Sequence, residues 1–335
     1  GDGYRSLLLS DNAFNYPFLK IETTFWNIKY VNLIAQFNHL GFISAEDKLF
    51  DKKWMAAQYL SWNITKRFNI SLYESVTWRA LPTRNFDINY LNPVAFLRPI
   101  EFQNGSKDAV LLGLTSKFKL MNNVSIYGQL IIDDLRISEF KNGTNWWGNK
   151  YGIQAGIKAF DVFTLKGLSF QAEFNMARPY TYSHSDSITS YTHLNEALAH
   201  PLGANFKEGL AFLRYNHKRH FIELRMSQAG FGADTANINH GQNIFLSYNT
   251  NRYDTDGDVD LGEGGDFNHK TLQGLKTTLT ILEAKYAYML NPSSNLMLEI
   301  GIKDRMYINS QVENKTRLVF IGIRTSLSNF YYDFL

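Results

Sequence analysis

Apolar and polar residues alternate with a period of two along most of this chain. In LSFQAEFNMA, residues 168–177, Leu168, Phe170, Ala172, Phe174 and Met176 share one face, and Ser169, Gln171, Glu173 and Asn175 share the other. YGIQAGIKAF repeats the pattern, with Ile153 and Ile157 opposite Gln154 and Lys158. LMLEIGIKDRMY does so again, with Leu298 and Ile300 opposite Glu299 and Lys303. Strict alternation over about ten residues predicts strands with one apolar and one polar face, because successive side chains of a strand point to opposite sides.

Thirteen such strands are predicted, near 18–26, 30–40, 53–62, 68–78, 109–120, 124–134, 151–160, 168–177, 209–216, 220–228, 275–290, 295–307 and 317–334. Their connections alternate in length. Short ones fall at 27–29, 63–67, 121–123, 161–167, 217–219 and 291–294, and long ones at 41–52, 79–108, 135–150, 178–208, 229–274 and 308–316. That parity is expected of an all-β, antiparallel up-and-down transmembrane β-barrel with short periplasmic turns and long extracellular loops. A single such domain over 1–335 is expected. Open strand edges are intolerable in lipid, so the sheet must close, and bacterial barrels usually carry even strand numbers. About 14 or more strands are therefore expected in the whole protein. The parity argument reads residues 4–10 (YRSLLLS) as the remnant of a further strand and implies that part of the native N-terminus is missing.

Composition narrows the setting. The chain of 335 residues is 15% aromatic and only 19% charged, with no cysteine. Disulfide frameworks and thiolate metal sites are thereby excluded. A net charge of +3 is too small to argue for nucleic acid. Mean hydropathy of −0.27 suits a wall with only one apolar face. Aromatics gather near strand ends, as Trp26, Trp54, Trp62, Trp78, Tyr151 and Phe160 do, where interfacial girdles lie. The ending NFYYDFL puts Phe330, Tyr332 and Phe334 on one face. It resembles the C-terminal signal by which bacterial outer-membrane barrels are recognised for insertion.

Candidate chemistry lies in the long connections. YDTDGDVDLGEGGDF, residues 253–267, offers Asp254, Asp256, Asp258 and Asp260 as oxygen ligands for calcium. EF-hand spacing fails, however, because Val259 stands where the loop needs glycine. A solvated acidic loop tip is the expectation, with no metal and no cofactor. His184, His193 and His200 are nine and seven residues apart, which matches no zinc pattern, and no nucleophile elbow frames the serines beside them. No catalytic residue is expected. YLNPVAFLRPIEF, residues 90–102, is too apolar for a free loop, so the 79–108 connection is expected to fold inward as a constriction. Flat apolar rings with polar edges suit sugars. Trp146, Trp147, Arg178, Tyr180, Tyr182, Tyr191 and His193 are the candidate carbohydrate-binding residues, at the ends of two neighbouring hairpins.

Four segments carry a family resemblance: YLNPVAFLRPIEF, WWGNKYGIQAGIKAFD, RPYTYSHSDS and LAHPLGANFKE. With them, most of the chain resembles the capsule-assembly (Wzi-like) and gliding-motility RemB-like outer-membrane proteins of Bacteroidota. The resemblance implies a barrel in the bacterial outer membrane without enzyme activity. Its external face would associate with surface polysaccharide, in capsule attachment or adhesin-dependent gliding. The expected partners are outer-membrane lipid, surface polysaccharide and other outer-membrane proteins of a secretion or gliding complex. A porin-like channel and an accessory barrel subunit of such a machine are the alternative expectations.

Overall fold

The computed structural model describes residues 2–40, 50–92, 108–253 and 265–325. One antiparallel sheet of thirteen strands dominates. Its first half comprises β1 (Phe18–Phe25), β2 (Ile28–His39), β3 (Asp51–Asn63), β4 (Phe68–Arg79), β5 (Ala109–Met121), β6 (Val124–Asp134), β7 (Lys150–Phe160) and β8 (Leu168–Ala177). A small hairpin, β9 (Thr192–His193) and β10 (Glu196–Ala197), stands apart from the sheet. The sheet resumes with β11 (Phe206–His217), β12 (His220–Ala233), β13 (Leu275–Asn291), β14 (Leu296–Ile308) and β15 (Glu313–Arg324). Every large strand pairs with the next large strand in the chain, so the topology is an up-and-down meander. Among the described residues β1 and β15, at the two ends of the sheet, do not pair with each other, and both run away from the long-loop end.

The wall is inside out relative to a water-soluble protein. Phe174 is 43% exposed and Ile300 48%, whereas Glu173 is 4% and Gln171 7%. Phe170, Ile153 and Leu298 are also exposed on the outer face, and Ile157 is half-buried there. Lys158 and Lys303 face inward and are half-buried. An apolar belt continuous over the outside of a sheet needs lipid against it, because water would make it a large exposed patch.

Residues 2–16 run through the lumen and form no strand. The period explains why: Leu7, Leu8 and Leu9 are consecutive, so a strand would turn one of them outward, whereas here all three are buried. They pack with Val31, Leu33, Phe37, Tyr59, Tyr73 and Ile131 from the inner wall. Gly113 on β5 leaves the space that Leu8 occupies, and a side chain there would collide with it. Polar contacts fix the segment's course. The Glu173 carboxylate accepts from the backbone N–H groups of Tyr4 (2.7 Å) and Arg5 (3.1 Å). The Arg5 guanidinium donates through Nε and Nη2 to Glu208 at 3.1 and 3.0 Å. Gln129 Oε1 accepts from Leu7 N–H at 2.8 Å.

Two connections depart from the sequence reading. Between β14 and β15 the chain turns within 309–312, where Asn309 Oδ1 accepts from the N–H groups of Gln311 and Val312, so no long loop spans 308–316. The described part of the connection after β4, residues 80–92, does not enter the lumen. It folds over the outer face of β3 and β4, where Tyr90 stacks near Trp78 (4.7 Å) over Ala56 and Val76. Tyr90 also donates to Asp108 at 2.7 Å, and Gln58 Nε2 donates to Asn92 O at 2.9 Å. Residues 93–107 of the expected constriction and the aromatic positions 330–334 lie outside the described residues.

Candidate functional site

Among the described residues, three connections at the long-loop end build the candidate site. The first, 135–149, carries a short helix, α1 (Ile137–Asn142), which Gly143 ends in the left-handed conformation at φ 66°. The second, 178–205, folds back into the barrel mouth. Its β9–β10 hairpin turns through Leu194 and Asn195, both at positive φ as a two-residue turn of the primed type requires. Lys53, on the inner face of β3 and fully buried, donates to Ser190 O and to Thr192 Oγ1 (3.0 Å) and so ties this loop to the wall. The third, 234–274, crosses over the other two and is described up to Tyr253 and again from Gly265.

An aromatic and cationic cluster forms where they meet. The Arg136 guanidinium lies 4.1 Å over the Trp146 ring, and that of Arg252 lies 4.1 Å over Trp147. Trp147 meets Tyr248 at 4.9 Å and the edge of Tyr180 at 6.0 Å. Lys150 Nζ, bonded to Asp133 at 2.9 Å, sits 5.0 Å from the Tyr248 ring, and His184 lies 6.1 Å from that ring. Trp147, Tyr248 and His184 are half-buried, so this patch keeps open ring surface at the mouth.

Of the seven residues singled out from sequence, Trp147 alone is not buried. Trp146 is covered by Arg136. Arg178 donates to the carbonyls of Trp146 (3.3 Å) and His269 (3.1 Å), clamping the first and third connections together. Tyr180 donates to Asn239 O at 2.9 Å, and Tyr182 donates to Leu7 O at 2.7 Å. Tyr191 and Tyr73 share a hydroxyl hydrogen bond of 2.8 Å. His193 accepts from Asn38 N–H at Nδ1 (3.0 Å) and faces Asn15 O through Nε2 (3.3 Å). Tyr180 and Tyr182 also sit at φ 65° and 73°, a conformation costly for bulky residues and sustained by their surroundings. The structure thus brings Trp146, Trp147, Arg178 and Tyr180 into one neighbourhood and places Tyr182, Tyr191 and His193 in another, against the lumen segment.

Burial sets the ionisation of these groups. It raises the Tyr180, Tyr182 and Tyr191 hydroxyls above the ordinary phenol range, so they stay neutral. It lowers His193, His240 and His269 below the ordinary imidazole value. His200 is lowered by burial too, although Glu208 at 2.8 Å opposes the shift. Tyr248, Arg136 and Arg252 were not anticipated from sequence, and His184 was weighed there only as a metal ligand. The segment FLSYNTNRY, residues 245–253, alternates nothing, and its ring and guanidinium stand beside the more conspicuous acidic run. That run, including Asp254, Asp256, Asp258 and Asp260, lies outside the described residues.

No protein-family model matches the chain, and no curated protein matches it. Among solved structures it is similar to Wzi, an outer membrane protein involved in group 1 capsule assembly in Escherichia coli and a carbohydrate-binding β-barrel. The TM-score is 0.60 at 12% identity, over 96% of this chain and 64% of that one. The fold is that of an outer-membrane β-barrel. This chain accordingly spans just under two thirds of the length of Wzi. OprD of Pseudomonas aeruginosa matches with a TM-score of 0.42 at 13% identity, over 92% of this chain and 70% of that one. A monoaromatic hydrocarbon channel, CymD, matches with a TM-score of 0.34 at 7% identity, over 92% of this chain and 81% of that one.

Proposed function

We propose that this protein is a non-enzymatic outer-membrane β-barrel that binds surface polysaccharide at its long-loop rim. The observation that carries the reading is the half-open ring patch of Trp147, Tyr248 and His184, held rigid by buried neighbours above an occupied lumen. Such a patch offers stacking faces and hydrogen-bond donors, and a sugar loses little entropy on rings already fixed in place. Arg178, Tyr180, Tyr182, Tyr191, His193 and Trp146 serve this site by positioning the loops that carry the open rings. The likeness of fold to Wzi, itself carbohydrate-binding, supports the same reading. Each stacked ring contributes on the order of 1 kcal/mol, so useful retention of a polymer comes from repeated engagement along it. The resemblance of the loop segments to capsule-assembly and gliding proteins favours capsule attachment or gliding as the cellular setting. A glycan array probed with purified protein and with the Trp147→Ala/Tyr248→Ala variant tests the proposal. Binding to a defined set of glycans, lost in the variant while the barrel stays folded, is expected. Binding to no glycan, or equal binding by the variant, would sink it.

A further inference from the structure

At the short-turn end the lumen opens into a cavity of about 310 Å³ beneath the N-terminal segment, and its lining is strongly basic. Lys29, Lys66, Arg67, Lys117 and Lys119 line it, against the single carboxylate of Asp2. Asp2 is bonded to Lys117, and Lys29 is paired with Glu22 at 2.8 Å. Lys66, Arg67 and Lys119 have no carboxylate at ion-pair distance among the described residues. All three are exposed at the mouth of this cavity, where water screens their mutual repulsion in part and an anion held among them reduces it further. The neighbouring side chains form a rigid floor: Asn69 Nδ2 donates to both Ser61 Oγ and Asn63 Oδ1 at 2.9 Å. Arg67 and Lys119 come from adjacent strands' ends, joined by a backbone hydrogen bond from Lys119 N–H to Arg67 O at 2.8 Å. Their backbone spacing is thus fixed by the sheet.

We infer that this inner vestibule is a binding site for a phosphate group, separate from the rim. A monovalent carboxylate needs only one guanidinium, whereas three uncompensated cations match a multiply charged phosphate, with Arg67 supplying a fork of donors and the lysines point charges. The phosphate belongs either to a lipid headgroup at the inner leaflet or to a soluble phosphate compound. The full chain in maltoside micelles, titrated calorimetrically with inorganic pyrophosphate at low ionic strength, tests the site. One saturable site is expected, weakened tenfold or more in Arg67→Gln/Lys119→Gln. Lys218→Gln/Arg219→Gln, on another turn of the same end, should bind as the unmodified chain does. Lys66→Gln, at an exposed turn, provides a second reading should the double variant fold poorly, and a weakening of several-fold is expected there. Adding phosphatidic acid to the micelles assigns the source: loss of pyrophosphate binding points to a lipid phosphate, and its persistence to a soluble one. No saturable binding, acetate binding as tightly as pyrophosphate, or full affinity in the Arg67, Lys119 and Lys66 variants would overturn the inference.

Discussion

Glu173 and Phe174 are adjacent in sequence and opposite in setting. The carboxylate receives two backbone N–H groups of the lumen segment and the Tyr127 hydroxyl (2.8 Å), while the ring faces outward. Phe174→Arg should lower folding stability in lipid by about 2–4 kcal/mol at mid-membrane depth, and Phe174→Leu should be close to neutral. Folding titrations into lipid vesicles measure both, and equal tolerance of Arg and Leu would contradict the outward assignment. Inside, Tyr191→Phe strands the buried Tyr73 hydroxyl, at a cost of about 1–3 kcal/mol readable in the same titrations. Facing at this scale was legible in sequence because alternation alone decides it. The roles of the rim tyrosines were not. Tyr180, Tyr182 and Tyr191 carry the composition of a sugar platform, and only the fold reveals that their hydroxyls are committed to Asn239, Leu7 and Tyr73.

Two elements escaped the sequence pattern for definable reasons. The start of β15, Glu313 to Arg317, is polar on both faces, so no alternation marks it and the tight turn before it reads as loop. The segment 4–10 is apolar without a period, and a lumen filler has no second face to keep polar. That segment yields its own prediction. Gly113→Val should unseat Leu8, and protease access to residues 2–16 should rise while the sheet signal in circular dichroism stays. Unchanged protection would mean that Leu8 is not what holds the segment. The 178–205 and 234–274 connections depend on neutral imidazoles at His193, His200, His240 and His269, all lowered by burial. A histidine whose folded pKa lies below its unfolded value stabilises the fold fully above the unfolded value, near 6.5, and less as pH falls below it. Protection factors in these loops, taken against the intrinsic exchange rate at each pH, should therefore fall below about pH 6.5, while those of the strands hold. Loop protection factors that stay constant across this range would contradict this.

At the scale of the whole molecule, the thirteen sheet strands of the described residues, all but the last of the expected long connections and the outward apolar face were readable, since each follows from local period and spacing. What fills the barrel was not, because lumen contacts join residues far apart, such as Arg5 with Glu208 and Tyr182 with Leu7. The filled lumen bears directly on the proposed function. Leu7, Leu8, Tyr73, Tyr182 and Tyr191 form one packed core where a porin of this fold would hold water, as the proposed rim site requires. Conductance across a planar bilayer tests that division most directly. The purified protein should add no steady channel current, whereas Arg5→Ala/Glu208→Ala, which removes the charged anchor of the lumen segment, should admit intermittent openings. Stable, porin-sized steps from the unmodified protein would contradict the account, because a barrel that conducts freely does not carry its function at a sealed rim.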